Sequence, residues 1–278
     1  MMEITRGPMI GPLASCPPCV NMSAAIKPKG VRLTSPQKSP FEWAKTYLTS
    51  TIGQKVLLAL TGLSLVGFLI VHLIGNLKVL FGQDELNAYA HFLKHSLGPI
   101  IWIFRGGLLV LFITHIFLAL KLKATTANAR PIQYVVMNSA QATLQSRTML
   151  LTGLVVGAFT VFHLAHFTFG VTHEVDLGHG MHTNYLDLRD AEGRHDVYSM
   201  TVAGFKTTWI SALYVIAQLV LFAHLSHGIQ STIQTLGLKG TRFGSVWSAL
   251  GFATAGTILI GNLLIVVAIW TGLVPAVH

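Results

Sequence analysis

Five long apolar runs limit what this chain can fold into. They cover approximately residues 54–79, 101–121, 149–171, 208–233 and 247–272. The hydrocarbon core of a bilayer is about 30 Å thick, so a helix needs about 20 mostly apolar residues to cross it. Each backbone group in lipid must be hydrogen-bonded inside the protein, and a helix does this within its own segment. The sequence therefore predicts an all-α integral membrane bundle of five transmembrane helices.

The distribution of charge predicts how the bundle is oriented. Of the 19 Lys and Arg, 13 lie in the N-terminal flank (1–55), in the second loop (121–147) or in the fourth loop (234–246). The first and third loops hold eight of the ten acidic residues. By the positive-inside rule we expect an inner (cytoplasmic) membrane protein with its N-terminus inside and its C-terminus outside. The net charge of +9 is thus a topology signal, and no basic stripe indicates a nucleic-acid partner.

The N-terminal segment differs in composition from the rest of the chain. Residues 1–40 are rich in Pro, Gly, Ser and Lys, so we expect a disordered tail ahead of a membrane domain at 41–278. The only two cysteines, Cys16 and Cys19, lie in this tail, and Val20 follows them where covalent haem attachment needs His. Two thiols cannot bind a cluster that needs four thiolates. A Gly-x-Gly-x-x-Gly fingerprint is also absent. A chain that handles electrons without these groups needs a partner subunit.

Four histidines lie inside the apolar runs, namely His72, His115, His163 and His224. An imidazole in a membrane helix is costly and usually functional. At a rise of 1.5 Å per residue, the first and third of these fall near the outer end and the other two near the inner end, about 15 Å apart. The sequence therefore predicts two bis-histidine sites, His72 with His163 and His115 with His224, stacked across the membrane.

Neutral imidazole is an axial ligand of haem iron, and apolar helices can enclose the macrocycle. Because a thioether motif is missing, the two haems would be of type b. Two alternatives remain. Each histidine could simply bond a carbonyl or a neighbouring helix, or the chain could be a His-lined metal transporter. The five runs contain no Asp or Glu, which argues against cation transport, and the matched depths favour haem.

The third and fourth runs each offer a second imidazole. His166 follows His163 by three residues, and His227 follows His224 by three residues. This spacing rotates a side chain by only about 60° around the helix axis. Either member of each pair could therefore be the ligand, while the other could bond a haem propionate or orient its neighbour.

Two loops on the outer side are also rich in histidine. His91 and His95 share one face of the segment between the first two runs, and we expect an amphipathic helix on the outer surface there. The third loop (172–206) has histidines among six acidic residues. Their spacing is irregular, so we expect a folded cap over the bundle rather than a metal site. These histidines are His173, His179, His182 and His195.

Motifs around the membrane histidines occur in a specific order. His72 is followed by Leu, His115 opens H-x-F-L-A, His163 lies in Phe-His-Leu, and His224 opens H-L-S-H-G-I with Gly228 four residues later. Over about residues 41–272 this resembles the cytochrome b membrane-anchor subunit of succinate:quinone oxidoreductases, in its five-helix, two-haem class. The last stretch looks like the family's H-x-x-x-G pattern, in which the first histidine is the ligand. The resemblance thus selects His163 and His224 over the second histidine of each pair.

The resemblance implies a subunit of succinate dehydrogenase (complex II) that does not itself oxidise succinate. Electrons would pass from an FAD-containing flavoprotein subunit through an iron–sulfur subunit, both on the inner face, to the inner haem, the outer haem and a membrane quinone, with menaquinone favoured. In reverse the complex would be a fumarate reductase. Some fumarate-reducing members have Glu two residues before the fourth ligand, where this chain has Phe222. The alternative is a di-haem b subunit of a hydrogenase or formate dehydrogenase.

The quinone that the resemblance implies needs polar contacts at one end of the bundle. No single motif selects that end. The polar candidates are Thr51, Gln54 and Lys55 near the inner end, and His91, His95 and Arg105 near the outer end.

Overall fold

The computed structural model describes residues 39–129, 144–171, 174–176, 182–238, 240 and 243–275. The tail predicted at 1–40 lies almost wholly outside these residues, as do Cys16, Cys19, His173 and His179. The described residues form eight α-helices and one pair of strands. They are α1 (Pro40–Thr49), α2 (Thr51–Asn76), α3 (Gln83–His91), α4 (Pro99–Asn128), α5 (Leu144–His163), β1 (Glu174–Asp176), β2 (His182–Asn184), α6 (Val197–Lys206), α7 (Thr208–Thr235) and α8 (Gly244–Trp270).

The five predicted membrane helices are present. Including short terminal turns, the apolar spans run over Thr51–Phe81, Pro99–Asn128, Arg147–Thr168, Thr208–Thr235 and Gly244–Trp270. Their bounds differ from the predicted ones by a few residues at most ends. The largest difference is at α4, which continues past Lys121 to Asn128. By length and composition the chain is a multi-pass membrane protein.

Helices α2 and α7 form the centre of the bundle. Helix α7 packs against α2, α5 and α8, while α2 packs against α4, α7 and α8. Within the described residues, α2 has no extensive contact with α5, nor α4 with α7. Helix α2 therefore lies opposite α5 across the bundle, and α4 lies opposite α7. Leu73, Leu221 and Ile258 belong to one buried cluster that joins α2, α7 and α8. The bundle therefore has two pairs of helices that can present side chains to a shared interior.

The two ends of the bundle differ in chemistry. The capped end holds the loops between α2 and α4 and between α5 and α7, whose helices α3 and α6 pack against each other. The basic end holds α1 and the neighbouring ends of α4, α5, α7 and α8, with exposed cations at Lys45, Lys55, Lys121, Lys123 and Arg147. The third loop contributes a short antiparallel sheet in which Val175 pairs with Thr183. The all-α prediction did not include this sheet.

Hydrogen bonds of the Asn87 side chain connect the parts of the cap. Its side chain is fully buried, and its amide nitrogen donates to Asp190 Oδ2 at 3.1 Å and to Asp196 Oδ1 at 2.9 Å. Its amide oxygen accepts from the Tyr198 backbone N–H, and Gln83 also donates to Asp196. Because these bonds join α3 to α6 and its preceding loop, the described part of the third loop forms a folded cap, as expected.

The segment before the first membrane helix turns a corner. The backbone breaks at Ser50 in an extended conformation (ψ 154°), so α1 and α2 are separate helices. The Ser50 hydroxyl caps α2 by accepting from the Gly53 N–H at 3.1 Å. A Cβ added to Gly53 would overlap the carbonyl oxygen of Tyr47. Helix α1 can therefore fold back against α2 only because residue 53 has no side chain.

We expect Gly53→Ala to separate α1 from α2 and to lower the free energy of unfolding by about 1–3 kcal/mol. Unfolding of the detergent-solubilised protein with increasing denaturing detergent measures this loss. Gly67→Ala is the matched control, because a Cβ there meets nothing within 4 Å. Equal stability of the two variants would contradict the close approach at residue 53.

The cap should also depend on pH. Burial raises the pKa of Asp190, but hydrogen bonds from Arg194 and Asn87 outweigh it and hold this pKa below its usual 3.8. Burial likewise raises the pKa of Asp196, and hydrogen bonds from Ser199 and Asn87 again lower it below 3.8. A depressed carboxyl pKa stabilises the fold above the unfolded value, and this stabilisation is lost as the pH falls through the folded value.

We therefore expect α6 to lose protection as the pH falls below about 4, because both carboxylates then become protonated. Hydrogen–deuterium exchange of α6, corrected for the intrinsic exchange rate, measures this opening. The variant Asp190→Asn with Asp196→Asn should show a much flatter pH profile. An unchanged profile in that variant would contradict the role given to the two carboxylates.

Candidate functional site

The structure brings together His72 on α2 and His163 on α5. Their ring centroids are 5.8 Å apart, and the rings meet edge to face at 85°. Metal–imidazole bonds are about 2 Å long, so two imidazoles on opposite sides of one metal ion would have centroids about 6 Å apart. The two side chains come from helices that face each other across the bundle. The separation of the two rings is therefore close to that of two imidazoles that share one metal ion.

His115 on α4 and His224 on α7 lie closer to the basic end. The Nδ1 atom of His115 is 3.2 Å from the Thr61 hydroxyl, eleven residues before His72 on α2. At 1.5 Å per residue this offset is about 16 Å along the helix. The observed offset thus agrees with the depth difference expected from the sequence.

Each inner imidazole packs against two consecutive residues, a threonine and a glycine, of the adjacent helix (a Thr-Gly step). His115 Cε1 is 3.1 Å from the position that a Cβ on Gly62 would occupy. In the same way, His224 Cε1 is 3.0 Å from a Cβ built on Gly153, and His224 Nδ1 is 3.2 Å from the Thr152 hydroxyl. Both rings therefore approach a glycine with their Cε1 atom, and each makes a hydrogen bond to the preceding threonine.

The threonine hydroxyls fix which nitrogen of each ring carries the proton. Thr61 donates its single hydroxyl proton to the carbonyl of Leu57 or Leu58, at 2.9 and 3.0 Å. Thr152 donates to the carbonyl of Met149 at 3.0 Å. Each hydroxyl oxygen must then accept from the imidazole Nδ1–H. The Nε2 atoms of both inner histidines consequently keep the lone pair that a metal ion needs.

Helices α2 and α5 carry the same sequence repeat. The pattern T-G-L-x₄-F-x₃-H-L begins at Thr61 in α2 and at Thr152 in α5. In both copies the phenylalanine lies one turn before the outer histidine and packs on its ring, with centroids 5.2 Å apart for Phe68–His72 and 6.1 Å apart for Phe159–His163. Each of these two helices therefore carries an outer histidine and also packs against the inner histidine of a neighbouring helix.

The second imidazoles occupy different surroundings from the first. His166 is fully buried, and its Cε1 is 3.0 Å from a Cβ built on Gly204 of the cap helix α6. Its ring centroid lies 4.0 Å from Phe167. His227 is half-buried one turn nearer the basic end than His224. The geometry thus pairs His163 with His72 and places His166 at the junction between bundle and cap.

The quinone candidates also differ in their surroundings. Gln54 is buried, and its amide donates to the Thr49 carbonyl at 2.8 Å, so this side chain stabilises the corner between α1 and α2. Thr51 and Lys55 are exposed at the basic end.

At the capped end, His91 and His95 are exposed and stacked, with ring centroids 4.3 Å apart. Arg105 is exposed and lies over the Trp102 ring at 5.1 Å. His195 is half-buried in the cap, and burial, followed by the charges of Arg189 and Lys94, lowers its pKa. The helix predicted for this segment is present as α3, and it ends in a π-helical turn at Phe92–Ser96.

Sequence reasoning missed the residues that hold the histidines in place. Those residues are Thr61, Gly62, Thr152, Gly153 and Tyr214. The internal repeat would have indicated the first four, because it places a Thr-Gly step at a fixed distance before each outer histidine. Nothing in the sequence pattern indicated Tyr214, whose role depends on a contact between α5 and α7.

No family model, curated protein or solved structure matches this chain. Among the described residues, no group of three or more His, Cys, Asp or Glu comes together to bind a metal ion.

The tautomer assignment can be measured directly. In haem-free protein we expect Nδ1 of His224 to be protonated, and Thr152→Val should shift the tautomer ratio about fivefold toward Nε2–H, because a hydrogen bond contributes about 1 kcal/mol. Nitrogen-15 chemical shifts of labelled histidine report the ratio. Thr160→Val on the same helix is the control, since that hydroxyl bonds the Val156 carbonyl. An unchanged ratio in Thr152→Val would refute the assignment.

Proposed function

We propose that this chain is the di-haem cytochrome b membrane anchor of a succinate dehydrogenase (complex II). It would pass electrons between an iron–sulfur partner subunit and membrane quinone. The observation that carries the proposal is the separation of 5.8 Å between the His72 and His163 rings, on helices that face each other across the bundle. A second pair of imidazoles about 16 Å deeper gives the bundle a second site of the same kind.

The residues present fit two b haems. Imidazole is a common axial ligand for haem iron, and a haem needs only two such protein ligands because the porphyrin supplies the others. Gly62 and Gly153 leave room where a larger side chain would displace an inner imidazole. Each haem, when bound, would supply a one-electron carrier. His72 and His163 would hold one of them, and His115 and His224 would hold the other.

The order of these two sites supports electron transfer across the membrane. The inner pair lies toward the basic end, where exposed Lys and Arg side chains can contact an acidic partner surface. We propose that this end faces the cytoplasm and binds the iron–sulfur subunit, which in turn binds the FAD-containing subunit. This chain would then take no part in succinate chemistry itself.

The quinone would exchange electrons within the membrane, and menaquinone is favoured because of the family resemblance. Phe222 lies on α7 where some fumarate-reducing relatives have glutamate. It packs against Phe252 with ring centroids 5.2 Å apart. An apolar contact of this kind cannot carry protons. The proposal therefore includes no proton route through that position.

Replacing the ligands should remove the haems one at a time. We expect His115→Ala and His224→Ala each to remove the inner haem, and His72→Ala and His163→Ala each to remove the other. Every variant should lose about half of the reduced b-type absorbance, because either ligand of a pair is needed to hold iron. Visible spectra of the purified variants, normalised to protein, measure this loss.

His227→Ala is the control for these variants and should retain both haems. Full absorbance in His72→Ala or His163→Ala would contradict the outer pair. Loss of the inner haem in His227→Ala would show that the fourth ligand has been chosen wrongly.

The soluble partner is tested separately by purifying the protein under mild conditions from its native membrane. We expect a flavoprotein and an iron–sulfur subunit to be retained, with succinate-dependent reduction of a quinone. Retention of a hydrogenase or formate dehydrogenase subunit instead would keep the haem assignment but overturn the succinate assignment.

A further inference from the structure

Tyr214 on α7 lies between His163, the last residue of α5, and His166 in the π-helical turn that follows α5. Its hydroxyl oxygen is 3.1 Å from His163 Nδ1 and 3.0 Å from His166 Nδ1. Both Tyr214 and His166 are buried. The phenol ring is surrounded by aromatic side chains with centroids 4.9 to 6.1 Å away, which restrict its movement. These side chains are Phe159, Phe162, Phe167 and Phe205. A single hydroxyl therefore bonds a proposed iron ligand and its neighbour in a fixed arrangement.

The phenol has one proton and can donate it to only one of the two imidazoles. If His163 binds iron through Nε2, its Nδ1 must carry a proton, which it then donates to the Tyr214 oxygen. The phenol proton is thereby directed to Nδ1 of His166. The hydrogen bonds run in one direction only, from His163 through Tyr214 to His166.

We propose that Tyr214 is a positioning residue of the outer haem site. This inference rests on the proposed function. Tyr214 holds the His163 ring so that Nε2 faces His72, whose ring centroid lies 5.8 Å away. By accepting from Nδ1–H it also makes the imidazole a stronger donor to iron, as partners of metal-bound histidines do.

The cap maintains this arrangement. His166 lies against Gly204 of α6, with its Nε2 3.1 Å from a Cβ built there. The Phe205 ring of the same helix packs edge-on against Tyr214 at 4.9 Å. The T-G-L-x₄-F-x₃-H-L repeat gives α2 and α5 equivalent histidines, but Tyr214 contacts the histidines of α5. The outer site is therefore asymmetric, and the asymmetry is connected to the cap.

A stronger imidazole donor stabilises ferric iron relative to ferrous iron. We expect Tyr214→Phe to keep both haems and to raise the midpoint potential of the outer haem, with the inner haem unchanged. Redox titration of the purified complex, followed in the visible spectrum, measures both potentials. The ferric low-spin resonance of the outer haem should also shift, because the His163 ring can turn once its hydrogen bond is lost.

Tyr198→Phe is the matched control. Tyr198 is also buried, and its hydroxyl donates to the Pro275 carbonyl at 2.8 Å in the cap. This variant loses a comparable hydrogen bond without touching a histidine of the bundle, so neither potential should move. An equal shift in Tyr198→Phe would attribute the effect to general loosening of the cap and would overturn the inference.

The outcomes separate this inference from the proposed function. Wild-type protein without b haems would refute the proposed function itself. Two haems with an unchanged outer potential in Tyr214→Phe would refute the role of Tyr214 and leave the haem assignment standing. If Tyr214→Phe does not accumulate, His166→Ala gives the second test. It should raise the outer potential by a smaller amount, since Tyr214 can still accept from His163, and no shift there would again overturn the inference.

Discussion

The structure depends on satisfying imidazole rings inside an apolar bundle. A histidine in a membrane helix needs a partner for its N–H, since the surrounding lipid and apolar side chains offer none. His115 and His224 obtain this partner from a threonine hydroxyl on the adjacent helix, and His163 obtains it from Tyr214. Each bond holds Nδ1 at the wall of the bundle, and for the inner pair it leaves Nε2 available to the interior. Ring orientation and metal-binding capacity thus follow from the same contacts.

The T-G-L-x₄-F-x₃-H-L repeat extends this constraint to both levels of the bundle. Helix α2 presents His72 at one level and seats His115 at the other, while α5 does the same for His163 and His224. A sideways shift of either helix would disturb both sites together. The two proposed haems would therefore be held in a fixed relation by the same pair of helices, which suits a relay that needs constant spacing.

Much of this arrangement could be predicted from the sequence, because run length and helical rise are local properties. The five spans and the depth difference between His72 and the inner pair follow from residue counts alone. The break at Ser50, the hairpin at Val175 and the role of Tyr214 could not be predicted in this way, since each depends on a contact between separate segments. The Thr-Gly steps could be predicted only in part. Their repeat is visible in the sequence, but their contacts with the inner histidines become apparent only from the packing of α2 on α4 and of α5 on α7.

The most direct test is the number of b haems bound per chain in the purified wild-type protein. Quantitative haem extraction combined with protein determination measures this ratio, and electron paramagnetic resonance of the oxidised protein identifies the axial ligands. The account predicts two haems per chain, both low-spin and both ligated by two imidazoles. A protein that binds no haem, or only one, when isolated from haem-replete membranes would contradict it.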